Sequence, residues 1–312
     1  MIDRFINADV IEGLRSMDSG SVQCCVTSPP YWGLRDYGED GQIGLEKTPE
    51  EYTARLVAVF AEVRRVLRDD GVLWLNLGDS YASGGMSNPS SSSTLGGGKD
   101  RGASEYSISR TIPDGLKPKD LVGIPWRVAF ALQADGWYLR SEVIWAKPNP
   151  MPESVTDRPT KAHEQVFLLS KSGRYFYDAD AVREPSSYDG PPKPGIQAQT
   201  AHTGLPVHSG RLGEGNPLGR NKRSVWTIAT QPFSGAHFAT MPPELAETCI
   251  KAGSRVDDVV LDPFGGAGTT ALSARLLGRR FVHIDLNPEY IEIARRRVDG
   301  ENFQPSLFGG GR

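Results

Sequence analysis

The chain has 312 residues, a net charge of −3 and 38% hydrophobic residues, enough to bury a full core and long for one domain, so one large domain with an insertion is expected. That charge excludes a protein that coats nucleic acid by bulk electrostatics. Three cysteines without paired spacing exclude a disulfide scaffold, and no apolar run approaches the ~20 residues that span a bilayer.

The chain opens on a strand at Phe5-Ile6, then Asn7-Ala8-Asp9 and a short helix from Val10 to Met17. The apolar run Val22 to Thr27 reads as a buried strand. Directly at its exit stands Ser28-Pro29-Pro30-Tyr31-Trp32. Two prolines fix φ and remove two backbone donors, leaving carbonyls beside one hydroxyl and two flat aromatic faces. Such a turn suits a planar base bearing an amino group.

Thr48-Pro49-Glu50-Glu51 is a capping box with proline at the first helical position. Tyr52, Leu56, Val59, Phe60, Val63, Val66 and Leu67 follow at helical spacing, and the helix is expected to end near Gly71. Val72 to Leu77 is the next core strand, with Asp79 at its exit read as a capping or loop-fixing residue. From Ala82 to about Thr111 the sequence is rich in Ser, Gly and Asn and poor in apolar residues, which reads as a mobile loop or lid.

Pro125 to Gln133 reads as a helix, with strands at 138–145, 164–169 and 175–177. Residues 184–222 are irregular, and between Arg183 and Arg223 six basic residues face three acids. The last strands, Val259-Val260-Leu261 and Phe281 to Ile284, each precede a helix: Thr269–Leu277, and one opened by Asn287 and Pro288. The tail carries Gln304, Leu307 and Phe308 ahead of a glycine run.

Asp262-Pro263-Phe264-Gly265-Gly266-Ala267-Gly268-Thr269-Thr270 lies between a strand and a helix, where glycines let backbone approach a ligand. It lacks both the G-x-G-x-x-G spacing and a phosphate-loop lysine, so a nucleotide phosphate is disfavoured. One strand on, Asp285 stands where an acid can accept both hydroxyls of a ribose. A ribose without phosphates points to an adenosyl cofactor. The five histidines show no metal spacing, and no metal site is expected.

At these residues the chain resembles the amino-methylating DNA methyltransferases, which methylate cytosine N4 or adenine N6 with S-adenosylmethionine. The resemblance rests on Thr27 to Tyr31 and Asp262 to Thr270, supported by Trp137 to Pro150, His163 to Lys171 and His237 to Leu245. Because the catalytic turn precedes the cofactor loop, it is similar to the group called beta. That implies an α/β fold: a circularly permuted, Rossmann-like, seven-stranded sheet with an inserted DNA-recognition region.

The implied organisation is a catalytic half over 1–183, a variable recognition segment over 184–222, a cofactor-binding half over 223–298 and a flexible tail over 299–312. The resemblance implies that Ser28, Pro29, Pro30 and Tyr31 are catalytic. Asp9, Asp262, Pro263, Phe264, Gly265, Gly266, Gly268, Thr269, Thr270 and Asp285 would hold the cofactor. Trp32, Arg35, Arg211, Arg220, Lys222 and Arg223 are candidate contacts to double-stranded DNA, although Trp32 and Arg35 better suit a role in holding the loop.

The target base must be flipped out of the duplex, at a cost of a few kcal/mol, and Tyr31 would offset part of it by stacking. Ser28 Oγ and the Pro29 carbonyl would accept the two amino hydrogens. Serine before Pro-Pro implies cytosine N4, since a hydroxyl can also donate toward a cytosine ring nitrogen. Adenine N6 is the alternative. Methylation at cytosine C5 is excluded, because Cys24 and Cys25 sit inside a core strand rather than in a Pro-Cys loop.

More remote alternatives are an RNA or protein-glutamine methyltransferase, in which the cofactor loop generally comes first, and a non-catalytic DNA-binding module. Gln304, Leu307 and Phe308 resemble the short peptide that docks on the replication sliding clamp, with an ordinary apolar anchor as the alternative. A cognate restriction endonuclease is a further possible partner. Met1-Ile2-Asp3-Arg4 is no signal peptide, so the cytoplasm of a bacterium, host or phage-infected, is the expected compartment.

Overall fold

A computed structural model describes residues 3–34, 39, 41–82, 112, 114–185, 219–231 and 240–300. Arg35, Arg211, nearly all of the loop expected over 82–111, most of the segment 184–222, His237, and the tail with Gln304, Leu307 and Phe308 lie outside the described residues.

The strands are β1 (Arg4–Asn7), β2 (Val22–Thr27), β3 (Leu67–Leu77), β4 (Tyr138–Ala146), β5 (His163–Ser170), β6 (Val225–Thr227), β7 (Val259–Asp262) and β8 (Arg280–Asp285). The helices are α1 (Val10–Arg15), α2 (Pro49–Val66), α3 (Ile124–Ala134), α4 (Pro243–Gly253), α5 (Thr269–Leu276) and α6 (Pro288–Gly300). Among the described residues one sheet forms, in the order β1-β8-β7-β2-β3-β5-β4-β6. The strands from β1 to β3 run parallel, whereas β5 is antiparallel to both its neighbours.

α2 shows how the sequence sets an element. Thr48 Oγ1 accepts the Glu51 N–H at 3.1 Å, and Glu51 in turn accepts the Lys47 N–H at 3.0 Å. Tyr52, Leu56, Val59, Phe60, Val63 and Val66 are then all fully buried on one stripe. Each large side chain so buried contributes roughly 1.5–3 kcal/mol before entropy is counted.

α1, α2 and α3 cover one face of the sheet around Leu14, Phe60, Leu75 and Phe167. On the other face α4 and α5 enclose Trp74, Val143, Trp226 and Phe281. The chain therefore leaves β7 by α5 on one face and leaves the adjacent β2 toward α2 on the other. Such a reversal opens a crevice at the carboxyl ends of the two strands.

Four expectations change. The sheet has eight strands, because Val225–Thr227 adds a short edge strand parallel to β4; three residues are too few for alternation to show. That edge belongs spatially to the end of the sheet away from the cofactor loop. α2 stops at Val66, since Leu67 is already extended (φ −67°, ψ 141°), and Gly71 lies inside β3. A Cβ there would come 3.1 Å from the Gln23 carbonyl, so glycine serves close strand approach rather than a helix end.

Residues 175–177 form no strand: Phe176 N–H bonds to Asp70 O and Tyr177 packs 6.5 Å from the Trp74 ring. α4, with Leu245, Ala246, Cys249 and Ile250 buried, was not anticipated. No helix among the described residues is long and apolar enough to cross a membrane.

Candidate functional site

The crevice brings together two segments 235 residues apart. Thr27, the last residue of β2, donates its hydroxyl to Asp262 Oδ1 at 2.6 Å, at the end of β7. Thr270 Oγ1 donates to the Val26 carbonyl at 3.3 Å. The predicted catalytic turn and glycine loop thus share one hydrogen-bonded base.

In the turn, Tyr52 of α2 donates its hydroxyl to the Pro30 carbonyl at 2.9 Å. The Pro29 carbonyl accepts no hydrogen bond from the described residues, which leaves it as the turn's open acceptor. Beyond, the Trp32 indole N–H donates to Glu46 O at 2.9 Å and the Gly33 N–H to Gly44 O at 2.6 Å. Trp32 is buried. Its expected contact with DNA is therefore corrected: the ring fills the core and its donor is spent on holding the loop.

The Tyr31 hydroxyl donates to Glu164 Oε2 at 2.6 Å and accepts from Asn76 Nδ2 at 2.9 Å. A carboxylate only accepts, so the phenolic hydrogen goes to Glu164. Ser28 Oγ, 3.2 Å from the Tyr31 oxygen, must then donate to it. That directs the one Ser28 hydrogen at Tyr31, whereas the sequence reading directed it at a ring nitrogen. Ser28 faces a substrate as an acceptor, at the head of a chain Ser28→Tyr31→Glu164 that polarises its oxygen.

Lys147 neutralises the far end, pairing with Glu164 Oε1 while its ammonium sits 4.3 Å from the Trp145 ring centre. Burial and the Glu164 charge hold the Tyr31 phenol well above its usual range, so it stays protonated and keeps donating. The ring lies on Gly78, where a Cβ would meet Tyr31 Cε2 at 2.4 Å.

Asp79 does cap: its Oδ1 accepts the N–H groups of Ser80, Gly123 and Ile124 at 2.9–3.0 Å, securing the start of α3. Asn76 was not singled out in the sequence, and Glu164, in the stretch His163 to Lys171, had no geometry there to give it a role. Their only sequence signal was a carboxylate and an amide on adjacent core strands, where an unsatisfied polar group would be costly.

The glycine loop is built for backbone proximity. A Cβ on Gly265 would lie 2.2 Å from the ring of His283, and Gly268, at φ 79°, packs against Ala294. His283 is wholly buried, and burial lowers its pKa to about 4, so a neutral ring floors the loop. Asp262 is buried under the loop, with burial raising its pKa to about 6 against the hydrogen bonds from the Thr27 hydroxyl and the Phe264 N–H. It is a strut between loop and turn.

Asp285 accepts Gly266 N–H on one oxygen (2.8 Å) and Asn287 N–H on the other (2.9 Å). Burial raises its pKa. Each oxygen retains a lone pair, so two ribose hydroxyls remain within its capacity. Asp9 caps α1 through Oδ1, bonded to Ile11 and Glu12 N–H at 2.9 and 3.4 Å, beside the Asn7–Asp285 register of β1 and β8. Pro263, Phe264, Thr269 and Thr270 complete the loop and the first turn of α5.

Arg220 and Arg223 converge on Glu184 at 3.2 and 2.9 Å. Lys222 lies 5.2 Å from the Trp226 ring. These three stand at the edge of β6, apart from the crevice. Among the described residues no group of His, Cys, Asp and Glu could hold a metal ion, and the three cysteines are buried with thiols shifted upward by burial.

A mixed sheet whose parallel strands carry a glycine loop on one carboxyl end and a Ser-Pro-Pro-Tyr turn on the next defines a methyltransferase of the α/β class. The family model described as DNA methylase, for the N6 and N4 enzymes, matches residues 22–296, and this chain belongs to that family. It is 50% identical over 296 residues, spanning 94% of this chain and 87% of the relative, to the type II methyltransferase M.XycI of Xanthomonas campestris pv. cyanopsidis.

M.SmaI of Serratia marcescens, also a type II methyltransferase, is 46% identical over 95% of this chain and 90% of its own. Among solved structures, the PvuII DNA methyltransferase (cytosine-N4-specific) shares the fold at 19% identity, with a TM-score of 0.63 over 98% of this chain and 89% of that one. The chain is an S-adenosylmethionine-dependent DNA amino-methyltransferase. The loop over His283, with Asp285 at its rim, fits that cofactor without a side chain intruding.

Proposed function

We propose that the protein methylates N4 of a specific cytosine in double-stranded DNA, on a base flipped into the crevice beside Ser28. The observation that carries this is the pair of acceptors at one turn: Ser28 Oγ, polarised through Tyr31 and Glu164, and the open Pro29 carbonyl. Two acceptors match the two hydrogens of an exocyclic amino group. Bound on the loop 262–270, S-adenosylmethionine supplies the electrophilic methyl group.

The chain's residues do the rest. Drawing both amino hydrogens toward Ser28 and Pro29 takes the nitrogen out of conjugation and turns its lone pair toward the methyl carbon. With the methyl group supplied by the cofactor, the amino group would release one hydrogen as a proton to water past Ser28 and Pro29. Tyr31, held by its hydroxyl and by Gly78, offers its ring to the base; base–aromatic stacking is worth roughly 1–3 kcal/mol. Orientation of donor and acceptor supplies much of the acceleration.

The family pattern, in which serine before Pro-Pro goes with cytosine N4 and an aspartate there with adenine, supports cytosine over adenine. Segment 184–222 serves recognition in this reading, supported by Arg220, Lys222 and Arg223 at its end; a cognate endonuclease and a clamp contact through Gln304, Leu307 and Phe308 are further partners within it. The bacterial relatives support action in a bacterial cytoplasm. Nucleoside mass spectrometry of DNA treated with enzyme and labelled cofactor tests the assignment: N4-methylcytosine is expected. N6-methyladenine overturns the base assignment, and neither product overturns both.

A further inference from the structure

Lys161 stands in the segment leading into β5, and its ammonium nitrogen is buried with no hydrogen-bond partner among the described residues. Its surroundings are polar. It lies within the fields of Asp79, Glu164, Lys147 and Glu153. Yet Glu164 is engaged by Lys147, Tyr31 and Asn76, Asp79 Oδ1 takes three backbone N–H groups, and Glu153 pairs with Arg158 at 2.7 Å.

A buried ammonium with three unused donors is costly, and nothing among the described residues uses it. Asn76 Oδ1 and Ser80 Oγ, near the end of the same sheet, are also buried without partners. The polar atoms left open therefore cluster beside Tyr31 and Glu164. The segment itself is well anchored: Lys161 N–H donates to Glu153 at 3.2 Å and Lys147 N–H to Ala162 O at 2.8 Å.

We propose that Lys161 is a base-recognition residue that donates to the O2 carbonyl of the flipped cytosine. This rests on the cytosine-N4 reading above. The catalytic turn has no hydrogen left for the ring, since Ser28 donates to Tyr31 and Tyr31 to Glu164. A donor to the ring must come from another element, and among the described residues Lys161 is an unspent cation in the field of Glu164. Contact at N3 would draw electron density from the adjacent reacting amino group. O2 lies one ring position further away, and adenine carries a C–H at the corresponding place, so the contact also discriminates between bases.

The test compares wild type and Lys161→Met on duplexes carrying either cytosine or 2-thiocytosine, a weaker and larger acceptor, at the methylated position. Wild type should be at least about 10-fold slower on the thio duplex. Lys161→Met should lose about 10- to 100-fold in kcat/KM on ordinary DNA, the scale of one charged hydrogen bond, and should treat the two duplexes within about 2-fold. Its cofactor affinity should be unchanged and its Tm no lower, because the substitution strands no partner.

Wild-type kcat/KM in Lys161→Met, an equal thio penalty in both enzymes, or no thio penalty in wild type overturns the proposal. A wild-type product of N6-methyladenine instead overturns the reading beneath it, and is seen before any variant is made.

Discussion

Thr27 Oγ1 and Asp262 Oδ1 stand 2.6 Å apart and tie the end of the catalytic strand to the end of the cofactor strand. Neither group faces an open surface: Thr27 is fully buried and Asp262 nearly so. Whatever moves the glycine loop therefore moves Ser28, the next residue along. The two functional segments are adjacent in space because β2 and β7 pair directly, at Cys24–Val260 and Cys25–Leu261.

Thr27→Val keeps the shape but removes the donor. It leaves a buried carboxylate short of one partner, which costs about 1–3 kcal/mol or more. Calorimetry should show weaker S-adenosylmethionine binding, and single-turnover rates should fall as well. A variant with normal cofactor affinity and a normal rate would show that the strut carries no coupling.

Asp262 gives the fold a pH dependence with a definite sign. Its carboxyl is raised from 3.8 to about 6 in the folded chain, so the native state holds the proton more tightly than the unfolded state. The stabilisation this gives is complete below about pH 4 and is lost as pH rises through 6. Relative to Asp262→Asn, wild type should lose on the order of 3 kcal/mol between pH 4 and pH 7. Urea unfolding at pH 4.5, 5.5 and 7 reads the difference, and parallel curves for the two proteins would contradict it.

Gly78 is required by Tyr31. A methyl group there would come 2.4 Å from Tyr31 Cε2, so Gly78→Ala must push the ring off its seat. An ångström-scale displacement of a positioned group costs on the order of 100-fold in rate. kcat on DNA should fall by about that factor while cofactor affinity holds, since the glycine loop is untouched. An unchanged kcat would mean the ring's position is irrelevant to turnover.

How much of this was legible in the sequence depends on range. The turn at Ser28, the loop at Asp262, and α2 with its cap at Thr48 are local patterns, and each stands where proline, glycine and capping chemistry put it. Elements needing distant partners were not legible. β6 exists because Trp226 packs 5.8 Å from Trp74 and three residues find β4. Gly71 looked like a helix stop and instead serves a close strand approach.

Side-chain partnerships were the least visible. Asn76 and Glu164 come from β3 and β5 and Lys147 follows directly on β4, and only the registers of those strands bring them to Tyr31. Trp32 suited a loop anchor better than a base contact, and the Glu46 carbonyl that takes its indole N–H is not visible in the sequence.

The chain Ser28→Tyr31→Glu164 should behave as one unit. Tyr31→Phe removes the middle oxygen, and Glu164→Gln removes the charge that orients the phenol; each should lower kcat about 10- to 100-fold with cofactor binding intact. If the polarisation passes through Tyr31, the double variant should be little worse than either single, because the second change removes an effect already lost. Lys147→Met adds a directional check. Stripping the Lys147 countercharge leaves the part-buried Glu164 carboxylate without its paired cation, so stability should fall while the Tyr31 hydrogen bond persists. Multiplicative losses in the double variant would show that Tyr31 and Glu164 act separately on the base.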